Sequence, residues 1–364
     1  MIHGNGPAGL IAAISDPARL RELDAKAWQP LLSCARRNGV LAYLASRAEM
    51  RGVMGDVPPF ARDALSSARL SAARIGQLAL WELDRVGRVL RPVGVTVVAL
   101  KGVAYLLRGL RHASTRRMSD IDVMVRRESL PTAEQALRTA GWSFANADPY
   151  DEQYYRTWSH ELPPLQFPGR MLALDVHHTI CPPASRLRPD PAAMWARAEP
   201  AGQEGVYLLC PEDSVLHAAV HLFFDSDFDS RFREIVDLHE LVTAFAERDG
   251  FWGRLVDRAR ELGLERPLYY ALRGLFDVLA TPVPREVLEE TSSFGPPAPV
   301  ATWMRKTLAT VLAPVDPEPW PPRHAVKLWL LYVRSHWLRM PAHALIPHLA
   351  RKAMRRREAA SSLR

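Results

Sequence analysis

Cysteine is scarce in this chain and forms no recognisable pattern. The 364 residues include three cysteines, Cys34, Cys181 and Cys210, which are far apart and odd in number. No C-x-x-C pair is present, so neither a disulfide framework nor a zinc knuckle is predicted. The first residues also lack the basic region and the apolar core of a signal peptide. A reducing, cytoplasmic location is therefore expected.

Long apolar runs and several familiar catalytic motifs are missing as well. No uncharged apolar stretch approaches the ~20 residues that span a bilayer, so no membrane span is predicted. The chain has no Gly-x-Ser-x-Gly elbow, no Walker A sequence and no Gly-x-Gly-x-x-Gly sequence. These absences argue against a serine hydrolase of that type, a P-loop site and a dinucleotide-binding site.

The overall composition is that of an ordinary globular protein with a modest excess of positive charge. Apolar residues make up 48% of the chain and charged residues 24%, and the formal net charge is +7. This charge suits nucleoside triphosphates or an acidic partner. Lysine and arginine are spread along the chain rather than packed into one block, so nucleic-acid binding is permitted but not specifically indicated.

Hydrophobic periodicity divides the chain into three parts. Residues 1–91 repeat apolar side chains every three or four positions, which predicts an N-terminal helical region. In residues 92–182 the period shifts toward two, which predicts a compact α+β core with a small mixed β-sheet. Residues 183–364 show helical patterns separated by proline-rich joints and predict a C-terminal helical domain. The chain beyond residue 182 is expected to be helical throughout.

Two aspartates share one face of a predicted strand in the central part. The apolar run Val93–Leu100 predicts one strand, and Ser119–Val125 predicts a second. Residues two positions apart in a strand point to the same side, so Asp120 and Asp122 lie on one face. The residues between and after them are apolar and predict that the opposite face is buried.

This carboxylate pair predicts a divalent cation. Two unit charges about 4 Å apart repel by ~4 kcal/mol at an effective dielectric near 20, so the pair either shifts its titration or binds a cation. Oxygen ligands favour Mg²⁺. A third carboxylate, Asp175, lies in the alternating run Leu172–His178, which predicts a strand that returns beside the first two after a turn at Pro168-Gly169. Asp175 is therefore a candidate to complete the site.

Three short segments together resemble a known family. They are Leu100-Lys101-Gly102, Arg117-Met118-Ser119-Asp120-Ile121-Asp122 and Leu174-Asp175-Val176-His177. In this order they resemble the uncharacterised nucleotidyltransferase family of the polymerase β-like superfamily. The resemblance covers residues 93–178 well and the helical remainder loosely. It implies a small mixed sheet with a glycine-containing turn, an Asp-x-Asp strand and a third acidic residue on a later strand.

From the carboxylates and the resemblance together, we expect a Mg²⁺-dependent nucleotidyltransferase. Asp120, Asp122 and Asp175 would hold two Mg²⁺ ions while an NMP passes from an NTP, with ATP expected, to a hydroxyl acceptor and pyrophosphate leaves. Asp175 is also a candidate general base. Two alternatives stay open: a non-catalytic nucleotide-binding or regulatory module on the same fold, and a kinase-like transfer of the γ-phosphate.

The phosphate contacts are expected around the glycine turn. Lys101, Arg117 and Ser119 are the candidate phosphate ligands, and Gly102 would let the backbone approach closely where a short helix begins. Alternation places His177 on the same face as Asp175. That histidine either orients a phosphate or the acceptor, or it is a half-buried residue bonded to a neighbouring strand.

Other candidate features remain outside this expectation. His217 and His221 lie one helical turn apart but lack the general-base glutamate of the zinc protease pattern, and one of them could face the active cleft. The acidic loop that begins at Asp225 fails as a calcium loop, because Ser230 stands where glycine is needed. The aromatic segment 150–161 could stack on a base or pack against the sheet. The acceptor stays open: a small molecule, a peptide, a protein or an RNA end.

Overall fold

The computed structural model describes residues 6–145, 155, 158–224, 228, 230–315 and 322–339. Its first part is helical, as predicted. Asp24 caps the second helix by accepting a hydrogen bond from the backbone N–H of Ala27, 2.8 Å away. The N-terminal helices are α1 (Pro7–Ser15), α2 (Ala25–Arg37), α3 (Leu41–Met50) and α4 (Pro59–Leu90).

A mixed seven-stranded sheet forms the centre of the described structure. The strand order is β3-β4-β5-β2-β1-β7-β6. β1 runs antiparallel to β2, whereas β5 is parallel to β2 and β7 is parallel to β1. The strands are β1 (Val97–Leu100), β2 (Asp120–Met124), β3 (Ser143–Phe144), β4 (Leu165–Gln166), β5 (Ala173–His177), β6 (Glu199–Pro200) and β7 (Val206–Leu208). The predicted α+β class with a small mixed sheet is confirmed.

The two faces of this sheet pack against different helices. One face is apolar and is covered by α4 together with α6 (Leu130–Thr139), and it contains Ile121, Val123, Leu174 and Val176. On the opposite face, Leu100 and Met124 join the larger core formed with the N-terminal and C-terminal helices. Strand alternation then places the aspartates of β2 and β5 on that second face. The short helix α5 (Lys101–Leu107) follows β1 directly.

The prediction that the chain beyond residue 182 is entirely helical is wrong. Strands β6 and β7 come from this region, and β7 pairs with β1 through Val97↔Val206 and Ala99↔Leu208. Both Val206 and Leu208 are buried. Without β7, the apolar strand β1 would lie at an edge of the sheet with one side unpaired. The division at residues 91 and 182 into three domains stays a prediction.

Helices make up the rest of the second half. They are α7 (Pro191–Ala196), α8 (Pro211–Phe224), α9 (Phe232–Ala246), α10 (Phe251–Glu261), α11 (Glu265–Leu279), α12 (Arg285–Glu290), α13 (Ala298–Val311) and α14 (Pro322–Arg339). Among the helices of the described residues, none combines the length and the apolar character needed to cross a membrane.

Candidate active site between the sheet and helix α8

Strands β2 and β5 bring two of the predicted aspartates side by side. In their parallel pairing, Asp122 is the direct partner of Asp175, and Met124 is the partner of His177. The alternate residues of both strands are buried in the apolar core on the other face of the sheet. This alternation fixes which side the polar residues occupy, so Asp120, Asp122, Asp175 and His177 share one face.

Lys101 contacts the central aspartate of this face. Its Nζ donates a hydrogen bond of 2.7 Å to Oδ1 of Asp122. β1 places the lysine there, because Leu100, the residue before it, is the strand partner of Asp122. Lys101 itself adopts φ +47°, a left-handed conformation that is uncommon for a residue other than glycine. The chain thus accepts local backbone strain where it turns from β1 into α5.

Gly102 is required next to this turn for steric reasons. A Cβ atom at this position would lie 2.5 Å from Sδ of Met118 and 2.7 Å from Nη1 of Arg116. Both distances are far below a van der Waals contact. The glycine therefore lets the turn pack against the segment that leads into β2.

His177 connects two carboxylates. Its Nε2 lies 3.1 Å from Oδ1 of Asp122, and its Nδ1 lies 3.2 Å from Oε2 of Glu161. His177 is buried and lies beside the aspartates, and its role in orienting a phosphate or the acceptor stays a prediction. Burial opposes protonation of His177, but the charges of Glu161 and Asp122 raise its pKa.

The two paired aspartates differ in their affinity for a proton. Burial disfavours the charge of Asp122, yet Lys101 and His177 hold the pKa of this carboxyl well below its usual range. For Asp175, burial together with the charges of Asp122 and Glu161 outweighs the opposing charge of His177 and raises the pKa to about 7. Burial and Asp122 also raise the pKa of Asp120. At neutral pH, Asp175 can therefore both accept and release a proton.

A cavity of about 190 Å³ opens above these residues. Its polar wall contains Lys101, His160, Glu161, Asp175, His177 and His221. Helix α8 forms the opposite wall through Val220, His221 and Phe224, so one of the two histidines of that helix does face the cleft. The other, His217, is buried, and burial holds its pKa well below the usual value.

Not all of the candidate phosphate ligands reach this cavity. Lys101 and His177 line it, and Gly102 is buried at the adjacent turn. Arg117 and Ser119 are exposed and are not among the residues that line it. Their role in phosphate binding stays a prediction.

Several charged residues near the site have no local signal in the sequence. Arg116, next to the predicted Arg117, points inward, and its Nε lies 3.0 Å from Oδ2 of Asp237 on α9. His160 and Glu161 line the cavity. Both belong to the segment 150–161, whose sequence is notable only for its aromatic residues. Most of residues 150–157 and of the acidic loop at residues 225–229 lie outside the described residues.

The donor set of this face fits a hard divalent cation. Asp120, Asp122 and Asp175 offer carboxylate oxygens, and burial together with the repulsion between these carboxylates raises the pKa of Asp120 and Asp175. Lys101 and His177 both contact Oδ1 of Asp122. Oδ2 of the same carboxylate has no hydrogen bond from the described residues and is available to another ligand.

Comparison with known proteins agrees with this geometry. None of the curated proteins and none of the solved structures matches the chain. Residues 24–279 match the family described as "Uncharacterised nucleotidyltransferase". The match spans the helices from α2 to α4, the sheet with its carboxylates and the helices from α7 to α11. Because it covers well over half of the sequence, the chain belongs to the uncharacterised nucleotidyltransferase family.

Proposed function

We propose that the protein transfers an NMP from an NTP, with ATP expected, to a hydroxyl acceptor and releases pyrophosphate. The observation that carries this proposal is the direct pairing of Asp122 with Asp175 beside a cavity that Lys101 also lines. Membership of a nucleotidyltransferase family supports the same reaction class.

Asp120, Asp122 and Asp175 are the residues proposed to hold Mg²⁺. Two such ions would neutralise the triphosphate and lower the pKa of the acceptor hydroxyl. Lys101 keeps Asp122 ionised, which makes this carboxylate a metal ligand at any physiological pH. Asp175, with a pKa of about 7, is placed to take the proton of the acceptor hydroxyl as general base.

The triphosphate is proposed to lie along the turn between β1 and β2. Lys101 lines the cavity and carries positive charge toward it, because its pKa is raised, and His177 is proposed as a further contact in the same wall. Gly102 leaves the turn free of a side chain. Arg117 and Ser119 are proposed as outer phosphate ligands, since both are exposed in the segment that leads into β2.

A second cavity offers space for the acceptor. It measures about 370 Å³ and shares Cys181 and Pro182 with the cavity above the carboxylates. Trp195 and Arg126 line it, and the guanidinium carbon of Arg126 lies 4.6 Å from the centre of the Trp195 ring. A small molecule or the end of a peptide or protein segment fits these dimensions.

A cytoplasmic location remains a prediction from the sequence.

The test separates the three possible outcomes by the fate of the phosphorus label. The full chain is incubated with Mg²⁺, a cell extract depleted of endogenous nucleotides, and each of the four NTPs labelled at the α- or the γ-phosphorus. Transfer of the α-label with release of pyrophosphate supports the proposal, and Asp175→Asn must abolish it. Transfer of the γ-label would indicate a kinase-like reaction. Tight nucleotide binding by calorimetry without any transfer would indicate the non-catalytic module.

A further inference from the structure

Three potential metal ligands lie together in the cavity wall, and none of them is among the three carboxylates proposed to hold Mg²⁺. They are His160, Glu161 and His177, and one ligand atom from each lies within 4.8 Å of the other two. Oε2 of Glu161 is 3.2 Å from Nδ1 of His177 and 4.0 Å from Nε2 of His160. Among the described residues, no other group of three or more His, Cys, Asp or Glu side chains meets this condition.

Backbone hydrogen bonds hold these three residues in place. Residues 160–162 run beside β5: the N–H of His178 donates to the carbonyl of His160 at 2.9 Å, and the N–H of Leu162 donates to that of Val176 at 2.9 Å. Glu161 forms an isolated β-bridge with His177. The convergence of the side chains is therefore a consequence of the sheet, not of a flexible surface.

The hydrogen bonds of His177 favour a cation between its ring and Glu161. If Nε2–H donates to Asp122, a neutral ring presents the lone pair of Nδ1 to the Glu161 carboxylate, which also carries only lone pairs. Two acceptors 3.2 Å apart repel each other unless a proton or a metal ion lies between them. A metal-bound histidine that donates its other N–H to a carboxylate is the usual arrangement in protein metal sites.

A second buried nitrogen is also unsatisfied. Nδ1 of His160 is buried without a hydrogen-bond partner in the described structure. Its other ring nitrogen, Nε2, is the one that approaches Glu161. His160 and His177 have ring centres 5.2 Å apart, so both imidazoles border the same space beside Glu161.

We infer that His160, Glu161 and His177 form a binding site for one divalent first-row transition-metal ion, separate from the carboxylates proposed to hold Mg²⁺. Two imidazoles and one carboxylate suit ions such as Zn²⁺ or Co²⁺, whereas Mg²⁺ prefers oxygen ligands. Asp122 serves as the outer carboxylate that orients His177. The open side of the site faces the cavity, which leaves at least one coordination position for water or a ligand.

Cobalt binding tests this site without any reference to transfer activity. The full chain, made without a polyhistidine tag, is stripped with a chelator, dialysed and titrated with CoCl₂ while the visible absorption is recorded. We expect one equivalent of Co²⁺ to bind with the intense bands of a four- or five-coordinate site, and excess Mg²⁺ not to displace it. Calorimetry with ZnCl₂ must give the same stoichiometry.

Matched variants identify the ligands. We expect His160→Ala and Glu161→Gln each to weaken Co²⁺ binding by at least about tenfold. His221→Ala removes an imidazole from the same cavity wall but lies outside the set, so it is expected to bind Co²⁺ as the wild type does. The melting temperature of each metal-free variant shows whether the fold is retained, and Glu161→Gln, which preserves shape, is the variant that decides if His160→Ala unfolds.

Three results would overturn the inference. They are the absence of a stoichiometric Co²⁺ site, binding that survives both ligand variants, and binding that is lost in His221→Ala. Failure of the proposed transfer reaction would not affect this result, since the titration contains no nucleotide. Conversely, a chain that transfers the α-label but binds no Co²⁺ would leave the proposed function intact and reject this site.

Discussion

Lys101 and Asp122 form a largely buried ion pair at the centre of the candidate site. Nζ of the lysine lies 2.7 Å from Oδ1 of the aspartate, and the two side chains are 18% and 5% exposed. Removing one member of a buried pair leaves the other charge uncompensated, which costs about 3–5 kcal/mol. Lys101→Met is therefore expected to lower the free energy of unfolding by about 3 kcal/mol, measured by urea denaturation.

The double variant separates charge loss from other effects of the substitution. Lys101→Met combined with Asp122→Asn removes both charges, so we expect it to recover most of the stability lost in Lys101→Met. Pyrophosphate release should be absent in the double variant, because the substitutions remove both a metal ligand and a phosphate ligand. A double variant whose loss of stability equals the sum of the losses in the two single variants would contradict the pairing seen in the structure.

Asp175 is expected to cost stability at neutral and higher pH. Its pKa is raised to about 7 in the folded protein, so the folded state holds a proton between about pH 4 and pH 7 that the unfolded state has released. Stability contributed by this group therefore falls as pH rises through that window. Asp175→Asn is expected to raise the melting temperature most at pH 8 and to have almost no effect at pH 4.

The same variant should lose transfer activity while it gains stability. Asparagine can neither ligate Mg²⁺ as a carboxylate does nor accept a proton, so we expect a loss of at least about 100-fold in pyrophosphate release. Melting curves at several pH values and the label-transfer assay are made on the same preparation. A variant that melts lower than the wild type at pH 8 would show that the charge of Asp175 is stabilised by a partner.

Alternation along two strands was enough to predict the carboxylate face. Alternation predicts that Asp120 and Asp122 share one face of a strand, and the observed register puts Asp175, the candidate third carboxylate, on that same face. The neutralisation of Asp122 by Lys101 was not predicted, because it depends on the left-handed turn at Lys101 and on the pairing of Leu100 with Asp122.

Contacts between distant segments were the part that the sequence did not reveal. β7 has only three residues, and its burial depends on pairing with β1 more than a hundred positions earlier. Glu161 belongs to the cavity because the backbone around it bonds to β5. Neither segment has a periodic pattern long enough to indicate a strand.

Gly102 is expected to tolerate no side chain. Because a Cβ atom would lie 2.5 Å from Sδ of Met118 and 2.7 Å from Nη1 of Arg116, Gly102→Ala must displace these two side chains. We expect a loss of about 1–3 kcal/mol in the free energy of unfolding, together with a fall in transfer activity. Gly253→Ala is the matched control. Nothing lies within 4 Å of a Cβ at this exposed position in α10, so the alanine should stabilise the helix by about 0.5–1 kcal/mol.

Filling the larger cavity tests whether the acceptor binds there. Ala192 lines this cavity and is the second residue of α7, directly after a proline. We expect Ala192→Trp to reduce α-label transfer by at least about tenfold, because the indole occupies space needed by the acceptor. The affinity for a non-hydrolysable ATP analogue, measured by calorimetry, should stay unchanged. Ala8→Trp is the matched control, since Ala8 is exposed and is also the second residue of a helix after a proline. Equal transfer by Ala192→Trp and the wild type would place the acceptor elsewhere.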